Sequence, residues 1–236
     1  KTLKETKDQY QTRLVIIDGV YSQDGDLSLL PEIISLCKTH EAMLMLDDAH
    51  GIGVMGANGR GTAEHFNCLG QVDIITGTFS KSFGCVGGFA AASKKIIQYL
   101  KFYADSNVFS AAPTPQVTAS ILKALEIIKK EPAIRARLWE NTDYLRSRLT
   151  TEGFDIGKSV SPIFPIMIRD NKKVYEIAKM LQEKGIFTIG IVYPAVRTKE
   201  ARLRVSVLAT HEHEQLDALI NALNDINKDI KIKKEQ

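Results

Sequence analysis

Cysteine is scarce in this sequence, and its spacing excludes two common roles for that residue. The chain has three cysteines, Cys37, Cys68 and Cys85, and none of them forms a C-x-x-C pair. We therefore expect neither a disulfide framework nor a zinc site. Long apolar runs are also missing, since no stretch reaches the roughly 18 apolar residues of a transmembrane helix, and no signal-peptide pattern occurs. These absences make a cytoplasmic protein the expectation.

An excess of charge of one sign is missing as well. The sequence has 31 Lys and Arg residues against 28 Asp and Glu residues, a net charge of +3, which is too small to indicate a nucleic-acid partner. What is present is an ordinary globular balance, with 44% hydrophobic and 25% charged residues. A chain of 236 residues can bury the core of one domain or of two.

Short apolar runs indicate the strands of an α/β sheet. They lie at 14–17, 43–46 and 72–75, about 29 residues apart, which is the spacing that successive βαβ units need. A fourth run at 89–92 follows a glycine-rich turn. Parallel strands of this kind are covered on both faces, and their ligands bind beyond their carboxyl ends.

The pattern changes after Gly153, where an α+β arrangement begins. Its strands are predicted over 163–168, 187–192 and 203–208, and its helices over 174–183 and 214–223. Earlier helices are predicted over 31–40, 96–103, 121–128 and 138–149, with Pro132 between the last two. We therefore divide the chain into an α/β part at 1–115, connecting helices at 116–150 and a small α+β domain at 151–236.

Two side chains with chemical potential follow predicted strands. Lys81 lies in a small-residue turn after the third strand, and Asp47 ends the second. A lysine that forms an imine must be deprotonated part of the time, so it needs a sheltered and electrically tuned position. An acid such as Asp47 can pair with the protonated ring nitrogen of pyridoxal phosphate. Either residue alone is ordinary, but the two together at strand ends indicate a site for this cofactor.

Four motifs in order carry a resemblance to a known family. They are D-G-V-Y-S-x-D-G-D at 18–26, D-D-A-H-G at 47–51, G-x-N-G-R-G at 56–61 and G-T-F-S-K-S at 77–82. Together they resemble the α-oxoamine synthases, pyridoxal-phosphate enzymes of fold type I, and the resemblance runs from about Leu14 to about Asn224. It implies part of the large, mixed and mostly parallel sheet domain, which binds the cofactor, followed by the small α+β domain. T-F-S-K-S followed by V-G-G-F is most similar to the bacterial serine palmitoyltransferases.

The resemblance assigns cofactor roles to matching residues. Lys81 would carry pyridoxal phosphate as a Schiff base and later act as the general base at Cα. Asp47 would pair with the pyridine nitrogen, and His50 would hydrogen-bond the phenolic oxygen, with Ser22 nearby.

Further roles concern the phosphate, the substrate and the second subunit. Thr78 and Ser80 would bind the phosphate, and Ser110 would reach the phosphate of the neighbouring subunit in a homodimer with its active sites at the interface. Arg204 would bind the carboxylate of the amino acid, because a guanidinium can hold it with two parallel hydrogen bonds. Arg202, on the same face of its strand, is expected to make a contact at the surface or behind the ligand-binding residues. We predict no metal site.

The implied reaction is a decarboxylative condensation of an amino acid with an acyl-CoA, which gives a 2-amino ketone, CoA and CO₂. The motifs favour L-serine with a long-chain acyl-CoA. An 8-amino-7-oxononanoate synthase, which uses alanine in biotin synthesis, and a glycine C-acetyltransferase remain alternatives, as does a pyridoxal-phosphate transaminase.

Two interpretations come from other classes of protein. The D-D-A-H run resembles the acidic box of helicase-type ATPases, but the sequence contains no G-x-x-x-x-G-K-[ST] loop. A non-catalytic dimerisation piece would keep the fold without turnover. Because the sequence starts at Lys1, not at Met, and enters a core strand by Leu14, we expect the C-terminal part of a longer enzyme that is not competent alone.

Overall fold

The computed structural model describes residues 1–233 and consists of two compact units. The first unit comprises Lys1–Tyr21 and Leu27–Pro132, and the second comprises Ser22–Asp26 and the chain from Ala133 onward. The division therefore falls inside the stretch 116–150, for which the sequence predicts connecting helices. Residues 234–236, the end of the predicted α+β domain, lie outside the described part.

The first unit is built on a four-stranded mixed sheet. Its strands are β1 (Leu14–Asp18), β2 (Met43–Asp47), β3 (Ile74–Thr78) and β4 (Gly88–Ala92), and its helices are α1 (Thr2–Glu5), α2 (Leu30–Thr39), α3 (Thr62–His65), α4 (Lys94–Tyr103), α5 (Asp105–Val108) and α6 (Pro115–Lys130). The strand order is β1-β2-β3-β4, in which the first two pairs are parallel and β3–β4 is antiparallel. This arrangement confirms the mixed, mostly parallel sheet that the sequence predicts.

The core of this unit forms where β2 meets α2. Leu44 and Leu46 alternate with less buried neighbours along β2, so they face the same side of the sheet. Leu30, Ile34 and Cys37 recur at helical spacing on α2 and are buried in the same cluster. Packing these two faces together holds the carboxyl ends of the strands at one edge of the unit.

Strand β3 corrects the prediction for 72–75. The strand begins at Ile74, because the Asp73 carboxylate, rather than a backbone carbonyl, accepts the hydrogen bond from the Leu44 amide at 2.8 Å. It continues to Thr78, because the antiparallel pairing of Gly77 with Phe89 and of Thr78 with Gly88 extends the ladder. Three residues beyond the predicted end, Thr76, Gly77 and Thr78, are therefore strand residues.

The second unit is a three-stranded antiparallel sheet packed with helices. It contains α7 (Pro132–Thr151, from the boundary), β5 (Ile163–Met167), α8 (Asn171–Glu183), β6 (Ile189–Ile191), β7 (Arg202–Ser206) and α9 (His213–Asp229), with strand order β5-β7-β6. Its core includes Phe164, Ile177, Leu203 and Ile220, all fully buried. β6 and β7 are shorter than the predicted 187–192 and 203–208. Among residues 1–233, no helix is both long and apolar enough to cross a membrane.

Candidate active site

Two carboxylates lie side by side at the ends of β1 and β2. Asp18 and Asp47 are register partners, and each is the last residue of its strand. Burial and then the nearby Asp47 carboxylate raise the pKa of Asp18, while the Lys81 ammonium opposes them. The three groups therefore interact electrostatically at one edge of the sheet. Asp18 is not among the site residues predicted from the sequence, although its place at a strand end is the same signal that indicates Asp47.

The turn after β2 holds the Asp47 carboxylate in place. The Ala49 amide donates a hydrogen bond to Asp47 Oδ1 at 2.9 Å. The Gly19 amide donates to the Asp47 carbonyl at 2.7 Å, which extends the β1–β2 pairing by one residue. His50 lies in the same turn, half-buried, three residues after Asp47. The D-x-x-H pair is thus presented by one short, hydrogen-bonded segment.

The predicted phosphate-binding residues belong to the segment that carries Lys81. Thr78 Oγ and Ser80 Oγ are 2.8 Å apart, and the Ser80 amide donates to Thr78 Oγ at 3.1 Å. Thr78 Oγ also donates to the Gly87 carbonyl at 3.2 Å, which ties the start of the turn to its end. The Gly84 amide closes the turn by donating to the Lys81 carbonyl at 2.9 Å. Lys81 itself is exposed, three residues beyond β3.

The donor set of these segments fits pyridoxal phosphate. The Lys81 amine and the Asp47 carboxylate both interact electrostatically with Asp18, and two hydroxyls precede the amine by one and three residues. Hydroxyls and backbone N–H groups in a glycine-bounded turn suit a phosphate. Ser110 is exposed and follows α5. No group of three or more His, Cys, Asp or Glu side chains in the described chain is placed to hold a metal ion.

Arg202, for which the sequence predicts a contact at the surface or behind the ligand-binding residues, is buried. Its side chain is 4% exposed and forms an ion pair with Asp24, whose side chain is 53% exposed. Its Nε donates to the Glu200 carbonyl at 2.7 Å, and a terminal nitrogen donates to the Gln23 carbonyl at 3.4 Å. Arg202 is buried because its strand runs under the segment Ser22–Asp26, which belongs to the same unit. The residue anchors this loop.

Arg204 contacts the same loop, Ser22–Asp26, at its first residue. Its Nε donates to the Ser22 carbonyl at 2.6 Å, and a terminal nitrogen donates to Ser206 Oγ at 3.0 Å. Burial lowers the pKa of the Arg204 guanidinium. The residue predicted to bind the substrate carboxylate thus holds the backbone of Ser22, a residue predicted to act at the cofactor.

Comparisons with known proteins place this architecture in a family. The model of the class I and II aminotransferases matches residues 1–223, and the chain belongs to that family. Its relatives within the family are α-oxoamine synthases. The chain is 41% identical over 232 residues to the 8-amino-7-oxononanoate synthase of Thermoanaerobacter pseudethanolicus, covering 98% of this chain and 59% of that protein. It is 44% identical over 220 residues to the serine palmitoyltransferase of Sphingobacterium spiritivorum, covering 93% and 55%.

A solved structure agrees with these relatives. A serine palmitoyltransferase described as carrying a pyridoxal phosphate internal aldimine superposes with a TM-score of 0.91 at 29% identity, covering 98% of this chain and 59% of the other. The chain thus spans somewhat more than half the length of the relatives it matches. The predicted family and fold class are confirmed.

Proposed function

We propose that this chain is the core of a pyridoxal-phosphate-dependent C-acyltransferase. The reaction condenses an amino acid with an acyl-CoA to a 2-amino ketone and releases CoA and CO₂. The observation that carries the proposal is the convergence of Asp18, Asp47 and Lys81 at the carboxyl edge of the sheet. Relatives named 8-amino-7-oxononanoate synthase and serine palmitoyltransferase, at 41% and 44% identity, support this reaction class.

The residues around β1–β3 divide the work of holding the cofactor. Pyridoxal phosphate supplies an electron sink for the bonds at the amino-acid Cα. Asp47 would hold a proton at the ring nitrogen, and the raised pKa of Asp18 would limit repulsion between the two neighbouring acids. His50, with Ser22, would donate a hydrogen bond to the phenolic oxygen, which fixes the tilt of the ring.

The Lys81 segment would hold the other end of the cofactor. Lys81 would anchor it covalently and, once released by the incoming amino acid, accept the Cα proton as general base. Thr78 and Ser80 would bind the phosphate with their hydroxyls and backbone N–H groups. Ser110 would contact the phosphate in the partner subunit of a homodimer with active sites at the interface.

Arg204 would bind the substrate carboxylate. The planar guanidinium can hold both carboxylate oxygens and so selects which Cα bond is perpendicular to the ring. Because Arg204 already donates Nε to the Ser22 carbonyl, its orientation is restricted before substrate binds. This restriction favours the precise orientation that a stereospecific proton abstraction needs.

We propose L-serine and a long-chain acyl-CoA as substrates, in the cytoplasm. The T-F-S-K-S and V-G-G-F motifs support this choice over alanine with the shorter acyl thioester of biotin synthesis, or glycine with acetyl-CoA. A panel of the three amino acids with acyl-CoA thioesters of different length tests it. A higher kcat/KM for alanine than for serine would reverse the ranking.

Two measurements test the reaction class itself. Borohydride reduction of the cofactor-loaded protein, followed by peptide mapping, should place the pyridoxyl label on Lys81; a label on another lysine would remove Lys81 from its role. The match to the aminotransferase family favours a transaminase as the second candidate. Release of CoA and CO₂ supports the acyltransferase, whereas formation of a 2-oxo acid without CoA supports the transaminase.

A further inference from the structure

Asp48, the neighbour of Asp47, is a buried acid with no role in the proposed reaction. It is fully buried, and Thr62 donates two hydrogen bonds to its carboxylate, from the amide to Oδ2 at 2.7 Å and from the hydroxyl to Oδ1 at 2.5 Å. Its own amide donates to the Thr76 carbonyl at 2.8 Å. Thr62 is also fully buried. Asp48 is thus enclosed, whereas the neighbouring Asp47 is only half-buried.

The chain is shaped around this carboxylate. A Cβ added to Gly19 would lie 2.6 Å from Asp48 Oδ1, and one added to Gly51 or Gly61 would lie closer still to Oδ1 or Oδ2. Real Cβ atoms do not approach oxygen so closely, and Gly61 also has a φ of +92°. Three glycines from three segments therefore close on one carboxyl group, which explains glycine at each motif position.

The same residue organises the turn that carries the cofactor-binding side chains. The amides of Gly51 and Ile52 both donate to the Asp48 carbonyl at 2.9 Å, which closes the turn containing His50. The Ile52 carbonyl in turn accepts a hydrogen bond from the Ser82 hydroxyl at 2.7 Å, next to Lys81 in the chain. The position of Asp48 is thus transmitted to both predicted cofactor segments.

A second carboxylate fixes the far side of the loop. Glu64 accepts hydrogen bonds from the Asn58 amide and side chain and from the Arg60 amide at 2.7–3.0 Å. Desolvation raises the pKa of Glu64, but the hydrogen bonds from Asn58 and Arg60 outweigh it, so the pKa is lowered overall. The loop between Gly51 and Gly61 is therefore held by hydrogen bonds at both ends.

We propose that Asp48 and Thr62 are positioning residues for cofactor binding, which rests on the proposed function. Their pair fixes the turn from which Asp47 and His50 project and, through Ile52 and Ser82, the segment that presents Lys81. A shift of the Asp48 carboxyl group relative to Thr62 then changes the alignment of all three groups toward the cofactor. The pair touches no reacting atom and acts only through its neighbours.

The test compares Thr62→Val with Thr62→Ser. Valine keeps the volume of threonine but removes the hydroxyl that bonds Asp48, whereas serine keeps it. Thr142→Val is the matched control, since Thr142 is fully buried and its hydroxyl donates to the Leu138 carbonyl at 2.6 Å in the other unit. Two quantities are measured in the full-length protein: amide hydrogen exchange at Gly51 and Ile52 without cofactor, and the Kd for pyridoxal phosphate by fluorescence.

We expect Thr62→Val to speed exchange at the two amides and to raise the Kd about tenfold, as the loss of one buried hydrogen bond allows. Thr62→Ser should stay within twofold of the unaltered protein in both, and Thr142→Val should lower the melting temperature without changing either. If Thr62→Val changes only the melting temperature, the positioning role is wrong. A failure of the full-length protein to bind pyridoxal phosphate would instead contradict the proposed function, and the exchange rates at Gly51 and Ile52 would still test the role of Asp48 and Thr62.

If Thr62→Val does not fold, Asp48→Asn tests the positioning role of the Asp48–Thr62 pair instead. An amide can donate to Thr62 Oγ and accept from the Thr62 amide, so it keeps both contacts without the charge. A positioning role predicts exchange rates and a Kd within about twofold of the unaltered protein. A tenfold loss of affinity in Asp48→Asn, with unchanged exchange, would show that the charge acts directly and would overturn the proposal.

Discussion

The ion pair between Arg202 and Asp24 predicts a large and asymmetric effect on stability. The perturbations are Asp24→Ala, Arg202→Met and the double substitution, in which methionine keeps the unbranched apolar stem of arginine. Asp24→Ala leaves a buried guanidinium without its counter-charge, because the Arg202 side chain is 4% exposed. Arg202→Met leaves an aspartate that is 53% exposed and can turn to water. Asp24→Ala should therefore lower the free energy of unfolding by more than Arg202→Met lowers it through the loss of charge alone.

The surroundings of the pair set the magnitude. Removing one partner of a fully buried pair costs about 3–5 kcal/mol, whereas an exposed pair contributes about 0–1 kcal/mol. The orphaned Arg202 would keep the carbonyls of Glu200 and Gln23 as acceptors. We therefore expect Asp24→Ala to lower the free energy of unfolding of the second unit by about 2 kcal/mol, and the double-mutant cycle to give a similar coupling energy.

The single tryptophan provides the assay. Trp139 lies on α7 within the second unit, so its fluorescence in urea follows that unit. With an m-value of about 2 kcal/mol/M, a loss of about 2 kcal/mol shifts the midpoint by about 1 M. The matched control is the exposed pair Lys179–Glu183 on α8, 3.9 Å apart and 78% and 64% exposed, whose coupling should be about 0.3–0.5 kcal/mol.

The effect of salt on the coupling energy distinguishes the Arg202–Asp24 pair from the Lys179–Glu183 pair. Exposed pairs are screened, whereas a partly buried pair keeps most of its interaction at 1 M salt, where the Debye length is about 3 Å. We expect the Arg202–Asp24 coupling to persist and the Lys179–Glu183 coupling to vanish. A coupling below about 0.5 kcal/mol for Arg202–Asp24, or one that disappears with salt, would contradict its role as the anchor of Ser22–Asp26.

Three further predictions concern the site and its titration. Asp47→Asn should reduce turnover about 100-fold, because the cofactor ring loses its charged partner, with little change in the melting temperature; near-normal turnover would remove Asp47 from the reaction. Arg204→Lys should raise the KM for the amino acid about tenfold while the absorption of bound cofactor stays the same, and the same effect from Arg202→Lys alone would show that the wrong arginine was chosen. Burial raises the pKa of Asp48, so the folded chain binds this proton more tightly than the unfolded chain. Its contribution to stability is then present at low pH and lost as pH rises from the ordinary aspartate value through the raised one. Urea unfolding between pH 4 and 7 should show that loss in the unaltered protein and less of it in Asp48→Asn; parallel curves would refute the shift.

Much of the fold follows from local pattern. The strands at 14–17 and 43–46 and the helix after Pro31 are predicted because apolar residues recur with the period of their element. The start of β3 is not predicted correctly, because the Asp73 side chain accepts the hydrogen bond from Leu44 in place of a backbone carbonyl. The local sequence pattern does not indicate this substitution. Pairing across strands decides such boundaries.

The candidate site also contains some residues that a local sequence signal indicates and others that no such signal indicates. Asp47 and Lys81 are found from strand ends and motif resemblance, and the same rule applied to β1 would have found Asp18. The partnership of Arg202 with Asp24 has no local signal, since the two residues are 178 positions apart. Only the folded chain shows that a loop of the first half completes the second unit.

That loop also constrains the order in which the protein can be made. Asp24 leaves the ribosome long before Arg202, and at about 5–20 residues per second the 178 residues between them take about 10–35 s. During this time Ser22–Asp26 lacks its partners in the second unit, while the first unit can fold. A ribosome paused before the codon for Arg202 should therefore carry a nascent chain that a protease cleaves between Ser22 and Asp26, and the finished chain should resist cleavage there.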